Sequence, residues 1–129
     1  MTLDSSALVA ILFSEPGFLD VVDCILEADL VRVGAPTLVE TGLVLSGRRG
    51  VAGAPEVESL LRELGETVVP FGEAEWRAAT AAYGRFGRGR HKAALNFGDC
   101  LAYATAAVAG DALLFVGDEF RQTDIPAAL

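Results

Sequence analysis

Short runs of β-branched residues and leucine alternate along this chain with stretches whose apolar residues recur at helical spacing. That alternation restricts the fold to βα units around a mostly parallel sheet, an α/β architecture. Residues 1–4 read as the end of a first strand, and Leu30-Val31-Arg32-Val33 as a second. Thr67-Val68-Val69 is a third, kept short or at an edge by Pro70. Leu113-Leu114-Phe115-Val116 is a continuous apolar run, as in a strand buried on both faces, and residues 123–125 form a small last strand. The expected sheet therefore has about five strands.

Six helices are expected between them. The first, holding Leu8, Val9, Ile11 and Leu12, is capped by Ser5 or Ser6, and Pro16 opens the second. Pro36 starts a third through Leu45, which residues 47–53 break, and residues 55–64 form the fourth. The fifth, over residues 73–86, places Trp76, Ala79, Tyr83 and Phe86 on one face, a stripe suited to core or dimer packing. Gly84, Gly87 and Gly89 loosen the chain before the sixth helix over residues 98–109, and a short helical turn follows near Phe120.

With 129 residues, 52% of them hydrophobic, the chain can bury a core without disulfide or structural metal, and one domain spanning residues 1–129 is expected. A net charge of −8 argues against a non-specific DNA binder. Cys24 and Cys100 show no metal or redox spacing, which fits a reduced, cytoplasmic protein. The first residues lack a basic n-region, and the alanine-rich stretch 101–109 is about half a membrane span, so neither a signal peptide nor a membrane helix is expected.

Parallel sheets place their chemistry just beyond the carboxyl ends of the strands. Four acids fall there: Asp4 after the first strand, Glu40 in the first turns after the second, Asp99 at the start of the sixth helix and Asp118 after the last core strand. Each has a plain structural reading as well. Thr37 with Glu40, and Asn96 with Asp99, have the spacing of a capping box, while Asp118 fits a turn and Asp4 a helix start. Together on one rim, however, four carboxylates repel unless protonated or joined by a cation. With His91 the only histidine, an all-oxygen set favours magnesium or manganese over zinc, and the matching chemistry is metal-assisted attack on a phosphodiester.

These residues carry a resemblance. Leu3-Asp4-Ser5-Ser6-Ala7-Leu8, Leu38-Val39-Glu40-Thr41, Leu95-Asn96-Phe97-Gly98-Asp99-Cys100 and Leu114-Phe115-Val116-Gly117-Asp118-Glu119-Phe120 with Thr123-Asp124-Ile125 resemble, in order and spacing, a PIN-domain protein of the VapC toxin type. The resemblance implies a PIN-like three-layer α/β/α domain and a magnesium- or manganese-dependent endoribonuclease, the toxin of a toxin–antitoxin pair that inhibits translation and growth. It also implies a VapB-type antitoxin, a homodimer within a larger hetero-oligomer, and contact with DNA only through the antitoxin. Asp4, Glu40, Asp99 and Asp118 match the acidic quartet, with Asp4 and Asp99 as direct metal ligands and Glu40 and Asp118 as ligands or orienting groups. Ser6 and Asn96 match the supporting polar positions, and Asp124 a further family position. Glu119 leaves the inward carboxylate of its pair open, with the preceding Gly117 favouring Asp118.

Residues 76–98 hold five bases and no acid. Arg85, Arg88, Arg90 and Lys92 therefore lie in a basic segment leading to Asn96 and Asp99, placed to clamp RNA phosphates unless they form only a solvated loop. Two other classes compete with the nuclease. An aspartate-nucleophile phosphatase would use Asp4, although position 6 is Ser where that chemistry has a second Asp. A non-catalytic PIN-like binding module gives no reason to hold four mutually repelling acids.

Overall fold

The computed structural model describes residues 1–50 and 52–129. Its elements run β1 (Thr2–Leu3), α1 (Ser5–Phe13), α2 (Phe18–Leu26), β2 (Arg32–Gly34), α3 (Ala35–Arg49), α4 (Ala54–Leu64), β3 (Thr67–Val69), α5 (Glu73–Phe86), α6 (Phe97–Ala109) and β4 (Leu113–Leu114), followed by a 3₁₀ turn (Phe120–Gln122). All pairings in the sheet are parallel, in the order β3-β2-β1-β4. The chain thus builds outward from β1 through β2 to β3, then crosses back to lay β4 on the other side of β1. β1 is therefore the switch point, where a crevice opens beyond the strand ends.

Successive residues of a strand face opposite sides, and the core divides accordingly. Leu114, with Leu3 and Val33, packs against Leu8, Val21, Ile25 and Leu60 of α1, α2 and α4. Leu113 and Phe115 pack on the other face with Ala82, Phe86, Ala102 and Ala106 of α5 and α6. This is the expected three-layer α/β/α arrangement.

The sheet has four strands among the described residues rather than about five. Residues 123–125 do not pair. Thr123 Oγ1 donates to the Phe120 carbonyl (2.7 Å) and accepts from the Ile125 N–H (3.3 Å), which holds this segment as a turn. Pro126 then lacks an N–H, and pairing with β4 shrinks to one bridge, Leu113 with Ala127.

Other boundaries shift for local reasons. α1 is capped by Asp4, whose carboxylate accepts from the Ser6 N–H, not by a serine. α2 begins after Gly17 at φ 86°, leaving Pro16 in the preceding turn. α3 continues through Gly47 and ends at Gly50 with φ 70°; Val51, inside the expected break, lies outside the described residues. The segment after α5 is laced rather than loose. Gly84 lies within the helix, Arg88 N–H donates to Leu95 O (3.1 Å), and Leu95 N–H donates to Phe86 O (3.0 Å).

One buried acid lies away from the strand ends. Both carboxylate oxygens of Glu66, just before β3, are buried without a hydrogen-bond partner among the described residues. Burial pushes its pKa from 4.5 up to about 7. Because the folded value is the higher one, Glu66 costs nothing below pH 4.5, destabilises progressively between pH 4.5 and 7, and costs a constant amount above. Glu66→Gln is expected to stabilise the fold by about 1–2 kcal/mol at pH 8, solvent near the side chain reducing the full value, and by nothing at pH 4. Thermal melts of both proteins at the two pH values check this.

Candidate active site

β1 delivers Asp4 to the switch point, where its backbone N–H donates to Leu114 O of β4 (2.9 Å). Asp4 is 3% exposed. Its Oδ2 accepts from Ser6 N–H (2.9 Å) and from Ser6 Oγ (2.5 Å). Ser6 Oγ in turn accepts from Val116 N–H (3.0 Å), so one hydroxyl ties the ends of β1 and β4 together. Asp4 Oδ1 is buried with no partner among the described residues. Burial, opposed by the Ser6 bonds and reinforced by the charges of Asp99 and Glu40, pushes its pKa from 3.8 up to about 6.

Glu40 does not cap α3. That helix starts at Ala35, leaving Thr37 buried in its first turn and Glu40 one turn further on. Its carboxyl group lies against Gly98 of α6, so tightly that a Cβ at position 98 would overlap it. Burial and then the Asp99 charge raise its pKa, with the Ser5 hydroxyl opposing. Asp99 does form its capping box. Its Oδ2 accepts from Asn96 N–H (2.7 Å), and Asn96 Oδ1 accepts from Asp99 N–H (3.0 Å). The box fixes the Asp99 rotamer without removing its charge from the cluster. Burial raises the Asp99 pKa, the Asn96 bond opposes this, and Glu119 adds to it while Arg88 lowers it.

Asp4, Glu40 and Asp99 therefore act on one another electrostatically, and the charge of Glu119, in the turn after β4, adds to the effect on Asp99. Glu119 folds back over Gly117, whose φ of 122° suits glycine. Asp118 lies beside it, and both are exposed. Among the described residues no three His, Cys, Asp or Glu side chains close to a common ligating point as placed. The donor chemistry nevertheless fits a hard divalent cation: every group is a carboxylate, and the deepest one presents an unsatisfied oxygen.

The sequence matches the PIN domain family over residues 1–126. The chain belongs to the PIN domain family. It is 41% identical over 128 residues to Ribonuclease VapC of Mycolicibacterium smegmatis, covering 98% of each chain. It is 40% identical over 126 residues to Ribonuclease VapC30 of Mycobacterium tuberculosis, covering 97% of this chain and 95% of that one. In fold it is similar to the crystal structure of Mycobacterium tuberculosis VapC20, described as a sarcin-ricin loop cleaving toxin, with a TM-score of 0.77 at 15% identity over 96% of this chain and 95% of that one.

In this PIN domain the basic residues divide. Arg85 donates to Asp124 Oδ2 (2.7 Å), whose Oδ1 accepts from Tyr103 OH (2.6 Å). The Tyr103 bond and then the Arg85 bond hold the Asp124 pKa below the usual range, while burial and the Asp124 bond push Tyr103 up to about 12. Asp124 thus braces the C-terminal segment against α5 and α6. Among the described residues Arg88, Arg90 and Lys92 make no ion pair, and all three are exposed. His91 Nδ1 accepts from Ala93 N–H (3.1 Å) and its ring packs edge-on against Phe86 (5.3 Å), which makes it part of the loop's own structure. Sequence reasoning missed Gly98 as the seat of Glu40. The Gly preceding Asp99 was visible, but the clash arises only when α3 and α6 meet. The aromatic stripe of α5, expected to serve core or dimer packing, divides: Ala79 and Phe86 are buried in the core, while Trp76 (50%) and Tyr83 (42%) are exposed on this chain.

Proposed function

We propose that this protein is a magnesium- or manganese-dependent endoribonuclease, the toxin of a toxin–antitoxin pair, acting in the cytoplasm. The observation that carries the reading is Asp4 Oδ1, a buried, unpartnered carboxylate oxygen at the sheet's switch point, within reach of the charges of Glu40 and Asp99. Asp4 and Asp99 would hold the cation, with Glu40 and the Asp118-Glu119 turn as further ligands or orienting groups. When bound, the metal supplies charge stabilisation at the phosphodiester and lowers the pKa of the attacking water. Ser6 holds Asp4 in one rotamer, and the Asn96 box does the same for Asp99. Arg88 and its basic neighbours bind flanking phosphates.

A VapB-type antitoxin and RNA are the proposed partners, consistent with the ribonuclease VapC relatives. An antitoxin Arg would pair bidentately with the acidic pocket. Next to Glu40, the exposed Val39 and Leu43 line a groove between α3 and α4 with Leu38 and Leu61, an apolar surface suited to the same partner. A homodimer, with DNA contacted only through the antitoxin, completes this reading. The phosphatase alternative loses ground because Ser6, at the position of the second Asp, is committed to Asp4 and Val116. Among the described residues no helix is long and apolar enough to cross a membrane.

Antitoxin-free protein incubated with total RNA tests the proposal. Cleavage is expected in manganese or magnesium, none in EDTA, and a fall of at least roughly 100-fold in Asp99→Asn. Cleavage that persists in EDTA, or an Asp99→Asn variant as active as the parent, would overturn it, as would a binding module that cleaves nothing.

A further inference from the structure

Beside Asp99 the helices α5 and α6 leave a groove of about 530 Å³, walled by Ala79, Tyr83, Arg88, Asn96, Phe97 and Leu101. That volume lies within the ~300–1,000 Å³ usual for small-molecule sites. Two aromatic rings are open to solvent there: Phe97 is 80% exposed and Tyr83 42%. Phe97, in the first turn of α6, is thus not packed within its own chain. The polar wall consists of donors. Arg88 makes no ion pair among the described residues, and Asn96, whose Oδ1 is taken by Asp99 N–H, has its amide Nδ2 left to donate. Arg90 lies over the Tyr83 ring at 5.7 Å. Asn96 and Arg88 line this groove and also act on Asp99, so the groove adjoins the acidic cluster.

We infer that this groove receives an unstacked base of single-stranded RNA, seated on Phe97 and Tyr83, with the adjoining phosphate on Arg88 beside the acidic pocket. The inference rests on the nuclease reading and adds to it the residues that seat a base of the substrate. Charge selects this occupant. Of the five bases in the segment 76–98, Arg77 pairs with Glu73 and Arg85 with Asp124, and the remaining Arg88, Arg90 and Lys92 leave the rim of the groove basic, so a second copy related by a twofold axis would set two basic rims face to face, whereas a polyanion complements them. Strand form follows from the rings. A base within a duplex offers only its edges, and stacking on an aromatic face needs an unpaired base.

The test uses the whole chain and a fluorescent single-stranded RNA of about 12 nucleotides. Binding is read by anisotropy in calcium and cleavage in manganese. Phe97→Ala and Tyr83→Ala are each expected to weaken single-strand binding roughly tenfold and to raise KM more than they lower kcat. Phe97→Trp should restore binding, and the corresponding duplex should be insensitive to all three changes. The salt dependence should be unchanged in the aromatic variants and reduced by about one ion in Arg88→Ala. Phe97 is exposed enough for its variants to fold, so they carry the test even if Tyr83→Ala does not. If the parent cleaves RNA and Phe97→Ala binds and cleaves identically, the inference falls and the nuclease reading stands. If the parent binds single strands through Phe97 but cleaves nothing, the nuclease reading falls and the base site stands. If Phe97→Ala instead converts a dimer to a monomer in sedimentation with RNA affinity unchanged, the face joins two copies and the inference is overturned. A parent that neither binds nor cleaves RNA overturns both.

Discussion

Asp4→Asn is expected to abolish RNA cleavage while raising the melting temperature. The two effects share one cause. Asp4 is 3% exposed, and burial first, then the Asp99 and Glu40 charges, hold its pKa at about 6 against 3.8. A shift of that size corresponds to about 3 kcal/mol. Asparagine keeps an oxygen for the Ser6 N–H and hydroxyl, so the α1 cap survives, and its amide hydrogens would face the neighbouring carboxylates favourably. Part of the gain is lost because the amide is itself buried. The net expectation is about 1–3 kcal/mol, or roughly 4–10 °C for a domain of this size. The sign fixes the pH dependence. The folded pKa is raised, so the penalty is absent below pH 3.8, grows between 3.8 and 6 and is constant above. The difference between the two proteins should therefore be full at pH 7.5 and vanish near pH 3.5. Manganese should raise the melting temperature of the parent and leave that of Asp4→Asn nearly unchanged. A variant less stable than the parent at pH 7.5, or one that retains cleavage, would contradict this account of the site.

How much of this was legible in sequence depended on whether a signal was local. Strand and helix types followed from periodicity. Leu113 and Leu114 read as a doubly buried strand because both faces of β4 are covered, and the Asn96–Asp99 box closed as its spacing implied. The Thr37–Glu40 box had the same spacing and did not form, because β2 runs straight into a helix that begins at Ala35 and carries Glu40 past the cap. Residues 123–125 had strand composition, yet Thr123 and Asp124 spend their side chains on Phe120, Tyr103 and Arg85. The basic segment was visible as a charge run, but Arg85 differs from Arg88 only through Asp124, a partner 39 positions away. The turn after β4 held two acids in sequence, and only its backbone, with Gly117 at φ 122°, folds Glu119 back over Gly117, from where its charge acts on Asp99.

Gly98→Ala is expected to cost roughly 100-fold in cleavage while leaving the melting temperature within about 2 °C of the parent. By itself the change favours folding, since alanine in a helix exceeds glycine by up to about 1 kcal/mol. The new methyl group, however, would occupy the space of the Glu40 carboxyl group, which lies directly against Gly98. That carboxyl is the mobile end of a long side chain, so it can rotate toward solvent at little cost to the fold. In doing so it leaves the half-buried position where burial and Asp99 raise its pKa, and it no longer adds its charge to the cluster with Asp4 and Asp99. Stability and activity are thus uncoupled, unlike in an ordinary helix defect. A double-mutant cycle separates this mechanism from damage to α6. If alanine acts only by expelling Glu40, Gly98→Ala combined with Glu40→Ala should be no less active than Glu40→Ala alone. Multiplicative losses would show that Gly98 serves the site by some route other than seating Glu40.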